Sequence, residues 1–299
     1  MDKIFFTSDP IAPSDDPYMF EEDLIELPET YTFEGKEKNL KEALDYFCTD
    51  GLIILHNDKI LYENYWNGND RYSKHISWSV AKSFLSALIG IALEEGLIDS
   101  IEDPATKYLP DFKGTGYEGV KIKNILQMSS GVSFNEDYAD PDSDINKFGR
   151  AAAKGTPFRE FAKTLKNGKE QGTYNHYVSI DTQVLAMILE TVSEMPLREY
   201  LSKKIWSKIG MESDAYYITD KTGVDMALGG CDAVFGQRMV RVGFGADAEI
   251  SCVARKIKKV NNVLISKLLF KFSIIIKDVL SKILHLFSNK LGIWFLLLY

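Results

Sequence analysis

Residues Ser79 to Leu97 read SVAKSFLSALIGIALEEGL, and Val80, Phe84, Leu85, Leu88, Ile89, Ile91, Ala92 and Leu93 place apolar groups on nearly every face of a helix before Gly96 stops it. Such a helix has no side to offer to water. It must be enclosed by other elements, which makes it the central constraint on the fold. At 299 residues, with 45% hydrophobic and 26% charged content, the chain is long enough to build that enclosure as one large or two modest domains.

The flanking sequence supplies candidates for the enclosure. Leu40 to Phe47 (LKEALDYF) has helical spacing, and GLIILHNDKILYENYW, Gly51 to Trp66, reads as two apolar strands joined by a turn at His56-Asn57-Asp58. IDSIEDPATKYLPDF has the Asp and Pro punctuation of a loop, VKIKNILQMSSG reads as a short helix ending at Gly131, and Val132 to Asp144 forms a polar, acidic loop. SIDTQVLAMILETVSEMPLREYLSKKIWSKIGM predicts two amphipathic helices separated at Met195-Pro196. Val234 to Val242 (VFGQRMVRV) fits one short strand. A hairpin, a run of helices and a late strand together predict an α+β fold, a mostly helical subdomain beside an antiparallel sheet, with an active site between them.

Charge divides the chain more sharply than its total of −8 implies. From Val253 to Tyr299 there are nine Lys or Arg and one acid, Asp278, so the first 252 residues carry about −16. An acidic body lacks the clustered cations that neutralise phosphates, which argues against nucleic acid as a partner and toward a small-molecule substrate. ISKLLFKFSIIIKDVLSKILHLF spaces Lys among Leu, Ile and Phe as membrane-surface helices do, yet no stretch reaches the roughly 18 apolar residues of a spanning helix. The alternative reading of this tail is sequence not selected for the fold. On that reading its removal leaves the body folded. Cys48, Cys231 and Cys252 have no metal-ligand or redox spacing, and the first residues lack the apolar core of a secretory signal, so the expectation is a cytoplasmic protein with free thiols and no metal or cofactor. The division expected is a loop-like arm over 1–39, a main domain over 40–252 and a helical tail over 253–299.

The chemistry-bearing residues begin with Ser79-Val80-Ala81-Lys82, an S-x-x-K pattern at a helix start. Three residues of helical advance put both side chains on one face, where the amine can touch the hydroxyl. A serine hydroxyl is a weak nucleophile until a base takes its proton, and lysine serves as that base only when burial lowers its pKa. The competing reading is a helix-capping serine with a solvated lysine. In GTYNHYVSIDTQVLAMILE, Tyr177 precedes an amphipathic helix, and a tyrosine hydroxyl facing an ammonium can relay a proton because the positive charge stabilises its phenolate. Here the competing reading is a core aromatic beside a capping Ser179. Tyr174 is the rival by residue type.

HISWSVAKSFLSALIGIALEEGLI, DPATKYLP, ILQMSSGVSFNEDYADPDSDI, GTYNHYVSIDTQVLAMILE and LREYLSKKIWSKIGMESDAY, taken in that order, resemble β-lactamase-related serine hydrolases of the 6-aminohexanoate-dimer hydrolase type over Gly51 to Gly230. The resemblance implies a β-lactamase/transpeptidase-like fold in which Ser79 is acylated, Lys82 is its base and Tyr177 protonates the leaving group. It places Ser179, Asp137 and Tyr138 as substrate-binding candidates on or near the acidic loop. The reaction implied is cleavage of an amide or ester, with no cofactor. The pattern departs from the family after ALGGCDAV, where a helical stretch and a strand bearing a Lys-Thr-Gly or His-x-Gly motif are expected. Lys221-Thr222-Gly223 has the right letters in the wrong place. The carboxy-terminal strands are therefore read as incomplete after about residue 230, and a relative that binds ligand without efficient turnover is the alternative function.

Overall fold

The computed structural model describes residues 6–7, 9–234 and 294–298. Its elements run β1 (Phe6–Thr7), β2 (Glu21–Glu22), β3 (Thr30–Phe33), β4 (Lys36–Asn39), α1 (Leu40–Tyr46), β5 (Gly51–His56), β6 (Lys59–Tyr65) and β7 (Lys74–Ile76). A single 3₁₀ turn, Trp78–Val80, then leads into α2 (Ala81–Glu94). The helical part continues with α3 (Ala105–Tyr108), α4 (Ile122–Leu126), α5 (Asp144–Ala153), α6 (Phe158–Thr164), α7 (Ser179–Ser193) and α8 (Leu197–Leu201), the last running on into a π turn at Ser202–Trp206. Three strands follow, β8 (Ala215–Thr219), β9 (Cys231–Val234) and β10 (Trp294–Leu298). This is the α+β architecture read from the sequence.

The central helix is enclosed as its composition requires. Every residue of α2 from Ala81 to Ala92 is buried, Lys82 included. Full burial of residues such as Leu85, Leu88 and Ile89 stabilises by about 1.5–3 kcal/mol each. The helix packs against α7, whose residues Ser179 to Leu189 are all buried, and Phe84 meets Trp206 edge-on with ring centroids 5.7 Å apart. Gly96, at φ +71°, takes the left-handed position that ends α2, and its N–H bonds Leu93 O.

The hairpin forms at the expected place. Gly51 pairs with Tyr65 and His56 with Lys59, and Asn57 and Asp58 both adopt positive φ, as a two-residue turn matched to strand twist demands. Among the described residues the strands pair in the orders β10-β5-β6-β2 and β1-β8-β9-β7, with β3 and β4 as a separate hairpin. Pairing is antiparallel except for β2, which lies parallel to β6.

Three expectations need correction. The amino-terminal arm is not loop-like throughout: Ile11 is fully buried and bridges Ala215, Phe20 packs on Ile53, Leu55 and Ile60, and β2 extends the hairpin sheet. Alternation and length gave no sign of this, because single apolar residues separated by Pro and Asp make their contacts only when the main domain is present. The late strand is Cys231–Val234, beginning before the predicted Val234 to Val242, whose remainder lies outside the described residues. The helical tail likewise lies mostly outside them, but its end, Trp294–Leu298, is a strand, antiparallel to β5 with Trp294 opposite Leu55.

Candidate active site

Ser79 sits in the turn that joins β7 to α2. Ser77 donates to Cys231 O from both its backbone N–H and its hydroxyl, each at 2.7 Å, which fastens the turn to β9. Trp78 follows with φ 45°, a left-handed conformation that costs a bulky residue about 1–3 kcal/mol and persists where its surroundings hold it. Ser79 is thus presented by a strained turn between a sheet edge and the buried helix. Neither the turn nor α2 is capped by a side chain, so the capping reading of Ser79 does not hold.

Lys82 lies one turn further along, 2% exposed, with its Nζ donating to Ser79 Oγ at 2.9 Å and to the Leu228 carbonyl. Burial lowers its pKa to about 7, with the Glu136 carboxylate pulling the other way. An amine at that value exchanges its proton near neutrality, as a base for a serine hydroxyl must.

Tyr177 reaches the same oxygen from the segment before α7, its hydroxyl donating to Ser79 Oγ at 2.8 Å. Its ring lies under Lys82 Nζ, 5.3 Å from centroid to nitrogen. Burial raises the Tyr177 pKa, opposed by its bond to Ser79 and reinforced by Glu136. Burial therefore holds the group as a phenol, against the expectation that a neighbouring ammonium favours the phenolate. Tyr174 is half exposed, stacks on His176 with centroids 6.0 Å apart, and carries Lys169 Nζ over its ring.

The three substrate-binding candidates are placed differently from one another. Ser179 is buried at the start of α7, where its N–H donates to Glu136 Oε2 at 3.0 Å and its hydroxyl to Glu136 Oε1 at 2.5 Å. Tyr138 is exposed, and its hydroxyl donates to Glu136 Oε1 at 2.9 Å. Asp137 is exposed and accepts from the N–H of Ala139 at 2.9 Å. The residue that joins the acidic loop to the site is Glu136, which the sequence reading passed over. Its position inside the loop phrase was the available signal, but nothing in an unpatterned polar run says which of its acids faces inward.

Two further features lie close by. Beneath α7's first turn, Asp181 is fully buried, accepts from Tyr117 at 2.8 Å, and has its pKa raised to about 7 by burial. A cavity of about 420 Å³ is lined by Tyr174, His176 and Val178 together with Phe134, Asn135 and Lys169. Lys221-Thr222-Gly223 forms a tight turn after β8, held by Asp220, which accepts from Thr222 N–H and Oγ1 at 2.8 and 2.6 Å. Among the described residues no His, Cys, Asp and Glu group suited to a metal occurs, and no helix is long and apolar enough to cross a membrane.

Comparison with known proteins bears on the family and the fold. The chain is 33% identical over 212 residues to a 6-aminohexanoate-dimer hydrolase of Paenarthrobacter ureafaciens, covering 69% of this chain and 53% of that protein. It therefore spans about half the length of that curated relative. A solved structure from Bacillus anthracis, provisionally assigned as a 6-aminohexanoate-dimer hydrolase, superposes with a TM-score of 0.72 at 26% identity over 88% of this chain and 72% of the other. A penicillin binding protein from Bacillus halodurans shares the fold, with a TM-score of 0.54 at 16% identity over 66% of this chain and 70% of the other. Since the Beta-lactamase family model matches residues 47–222, more than half of the sequence and the whole stretch from the hairpin to the end of β8, this chain belongs to the Beta-lactamase family.

Proposed function

We propose that the protein is a serine hydrolase that cleaves an amide or ester through an acyl-serine intermediate. The observation that carries this reading is the convergence of Lys82 Nζ and Tyr177 OH on Ser79 Oγ, at 2.9 and 2.8 Å. In the first half-reaction, neutral Lys82 takes the Ser79 proton as Oγ bonds to the substrate carbonyl carbon, and the carbonyl oxygen becomes an oxyanion. The N–H of Ser79 is one proposed donor to that oxyanion. The carbon–nitrogen or carbon–oxygen bond then breaks as the Tyr177 hydroxyl protonates the leaving group and recovers a proton from the Lys82 ammonium. In the second half, water adds to the acyl ester and gives one proton to the same pair, which returns it to Ser79 Oγ as the bond between Oγ and the carbonyl carbon breaks, so that Ser79 and the carboxylic acid are released. No cofactor enters this sequence.

The substrate is proposed to be a small amide or ester, the 33% relative acting on a 6-aminohexanoate dimer by its name. With Cys48 and Cys231 as free thiols, a cytoplasmic setting suits the reading. A fluorophosphonate probe followed by peptide mapping tests it: the adduct is expected on Ser79, and an adduct on Ser83 or Ser129 in folded protein overturns it.

A second reading is a relative that binds ligand with little turnover, motivated by the departure of the sequence from the family pattern after ALGGCDAV. The strand expected to supply a second oxyanion donor follows β9 and lies outside the described residues. Loss of one such donor costs roughly a hundred- to a thousand-fold in rate. Amide turnover measured beside p-nitrophenyl butyrate hydrolysis, each against Ser79→Ala, separates the two: ester activity alone supports the impaired relative, and brisk amide turnover the full hydrolase.

A further inference from the structure

Within the acidic loop, Asn135, Asp137, Tyr138 and Ala139 are exposed while Glu136 alone of the five is half-buried and turned inward. Its carboxylate accepts three hydrogen bonds, from Ser179 N–H at 3.0 Å, Ser179 Oγ at 2.5 Å and Tyr138 OH at 2.9 Å. Helix α7 begins at Ser179, and Val178 before it gives no side-chain cap. A carboxylate from a loop 43 residues earlier therefore does what a local cap would do, bonding a backbone N–H at the positive end of a 15-residue helix. Tyr177 is two residues upstream of that clamp and Asp181 two residues downstream.

We propose that Glu136 is a positioning residue of the site: by clamping Ser179 it fixes the segment that carries Tyr177 against Ser79, and its negative charge acts on Lys82. This inference rests on the hydrolase reading and deepens it.

The geometry gives Glu136 leverage over both partners of Ser79. The Tyr177 hydroxyl must stay within hydrogen-bond range of Ser79 Oγ, and the backbone two residues away is held at Ser179 by a bidentate contact from outside its own helix. A displacement of about 1 Å at a reacting group can cost on the order of a hundred-fold in rate. Among the described residues, the groups facing Lys82 are Ser79 from its own turn, Tyr177 from the segment before α7, the Leu228 carbonyl from the loop after β8, and the charge of Glu136 from the acidic loop. Asp181, on α7 itself, is shifted toward the neutral acid, and Tyr138 and Tyr117 are raised phenols, so among the described residues Glu136 is the anion acting on Lys82. A neighbouring anion favours the protonated amine, so deleting that charge lets Lys82 lose its proton at lower pH.

Three variants separate these roles. Glu136→Gln keeps an acceptor for Ser179 and deletes the charge; Glu136→Ala deletes both; Ser179→Ala removes one bond of the clamp and keeps the charge. In Glu136→Gln the midpoint of the acid limb for Ser79 acylation is expected to move down by roughly 0.5–1 pH unit. In Glu136→Ala the acylation rate above that limb is expected to fall at least about tenfold. In Ser179→Ala the rate falls and the midpoint stays. The Lys82 Nζ titration, followed by NMR of lysine-labelled protein, should show the same downward shift in both Glu136 variants whether or not substrate is turned over. Melting temperatures within a few degrees of the parent establish that the Glu136→Gln protein is folded. An unmoved Lys82 midpoint in that folded variant, or an unchanged acylation rate in Glu136→Ala, overturns the proposal. Absence of any Ser79-dependent labelling in the parent overturns the hydrolase reading instead, and the Lys82 titration then still decides the electrostatic half.

Discussion

Lys82 Nζ stands 2.9 Å from Ser79 Oγ although the two residues belong to different turns, Ser79 to a 3₁₀ turn and Lys82 to the first turn of α2. Ser79 is partly exposed, while Lys82 three residues on is buried. Ser79 remains reachable beside an exposed Trp78, and the lysine is enclosed enough to have its pKa lowered to about 7. Two measurable consequences concern the chemistry of this pair, and two concern the stability of the fold around it.

Acylation of Ser79 is expected to rise with pH through about 7 and to level off above it, because the attacking hydroxyl needs neutral Lys82 as base. The sign follows from the lysine alone: below its pKa it holds the proton and cannot accept another. Fluorophosphonate labelling rates between pH 5 and pH 9 read this directly. A flat profile across that range would assign the base elsewhere.

Tyr177→Phe is expected to slow acylation by an amide roughly a hundred- to ten-thousand-fold while moving the melting temperature little. The substitution deletes the hydroxyl that bonds Ser79 and leaves the buried ring. The loss should be smaller with p-nitrophenyl butyrate, whose leaving group departs without protonation. Equal rates for parent and variant would pass the role to another group, with Tyr174 next in line by sequence.

Asp181→Asn is expected to stabilise the protein more at pH 8 than at pH 5. The buried acid has its pKa raised from 3.8 to about 7, so the folded chain keeps a proton that the unfolded chain loses over that interval. Stability of the parent therefore falls as pH rises from about 4 to about 7, by at most about 1.4 kcal/mol per pH unit, and is steady above. Asparagine does not titrate and still accepts from Tyr117. Denaturant midpoints of both proteins at pH 5 and pH 8 provide the comparison, and parallel pH profiles would show that Asp181 is ionised in the fold.

Deleting residues 294–299 is expected to lower the melting temperature and to promote association. It would strip β10 from β5 and leave Gly51 to Leu55, all buried residues, as an open sheet edge. This reverses the expectation that the tail can be removed at no cost to the body. A truncated protein that stays monomeric by light scattering with an unchanged melting temperature would restore it.

Local pattern alone determined a good deal of this protein. The apolar helix, the hairpin about Asn57 and Asp58, the break at Pro196 and the facing of Ser79 and Lys82 all depend on contacts within a few residues, and periodicity and turn chemistry report such contacts directly. The family phrases carried Tyr177 as well, 98 residues from the serine it bonds. Tertiary structure decided the rest. Whether Lys82 is a base depends on how completely the folded chain excludes water from it, and whether Tyr177 is a phenol or phenolate depends on the same burial. Glu136 was one acid among several in an unpatterned loop until α7 presented Ser179 to it. Ile11 and β10 join the core and the sheet from the two ends of the chain, contacts that close long loops and leave no periodic trace, because the residues that complete them lie roughly 200 positions away.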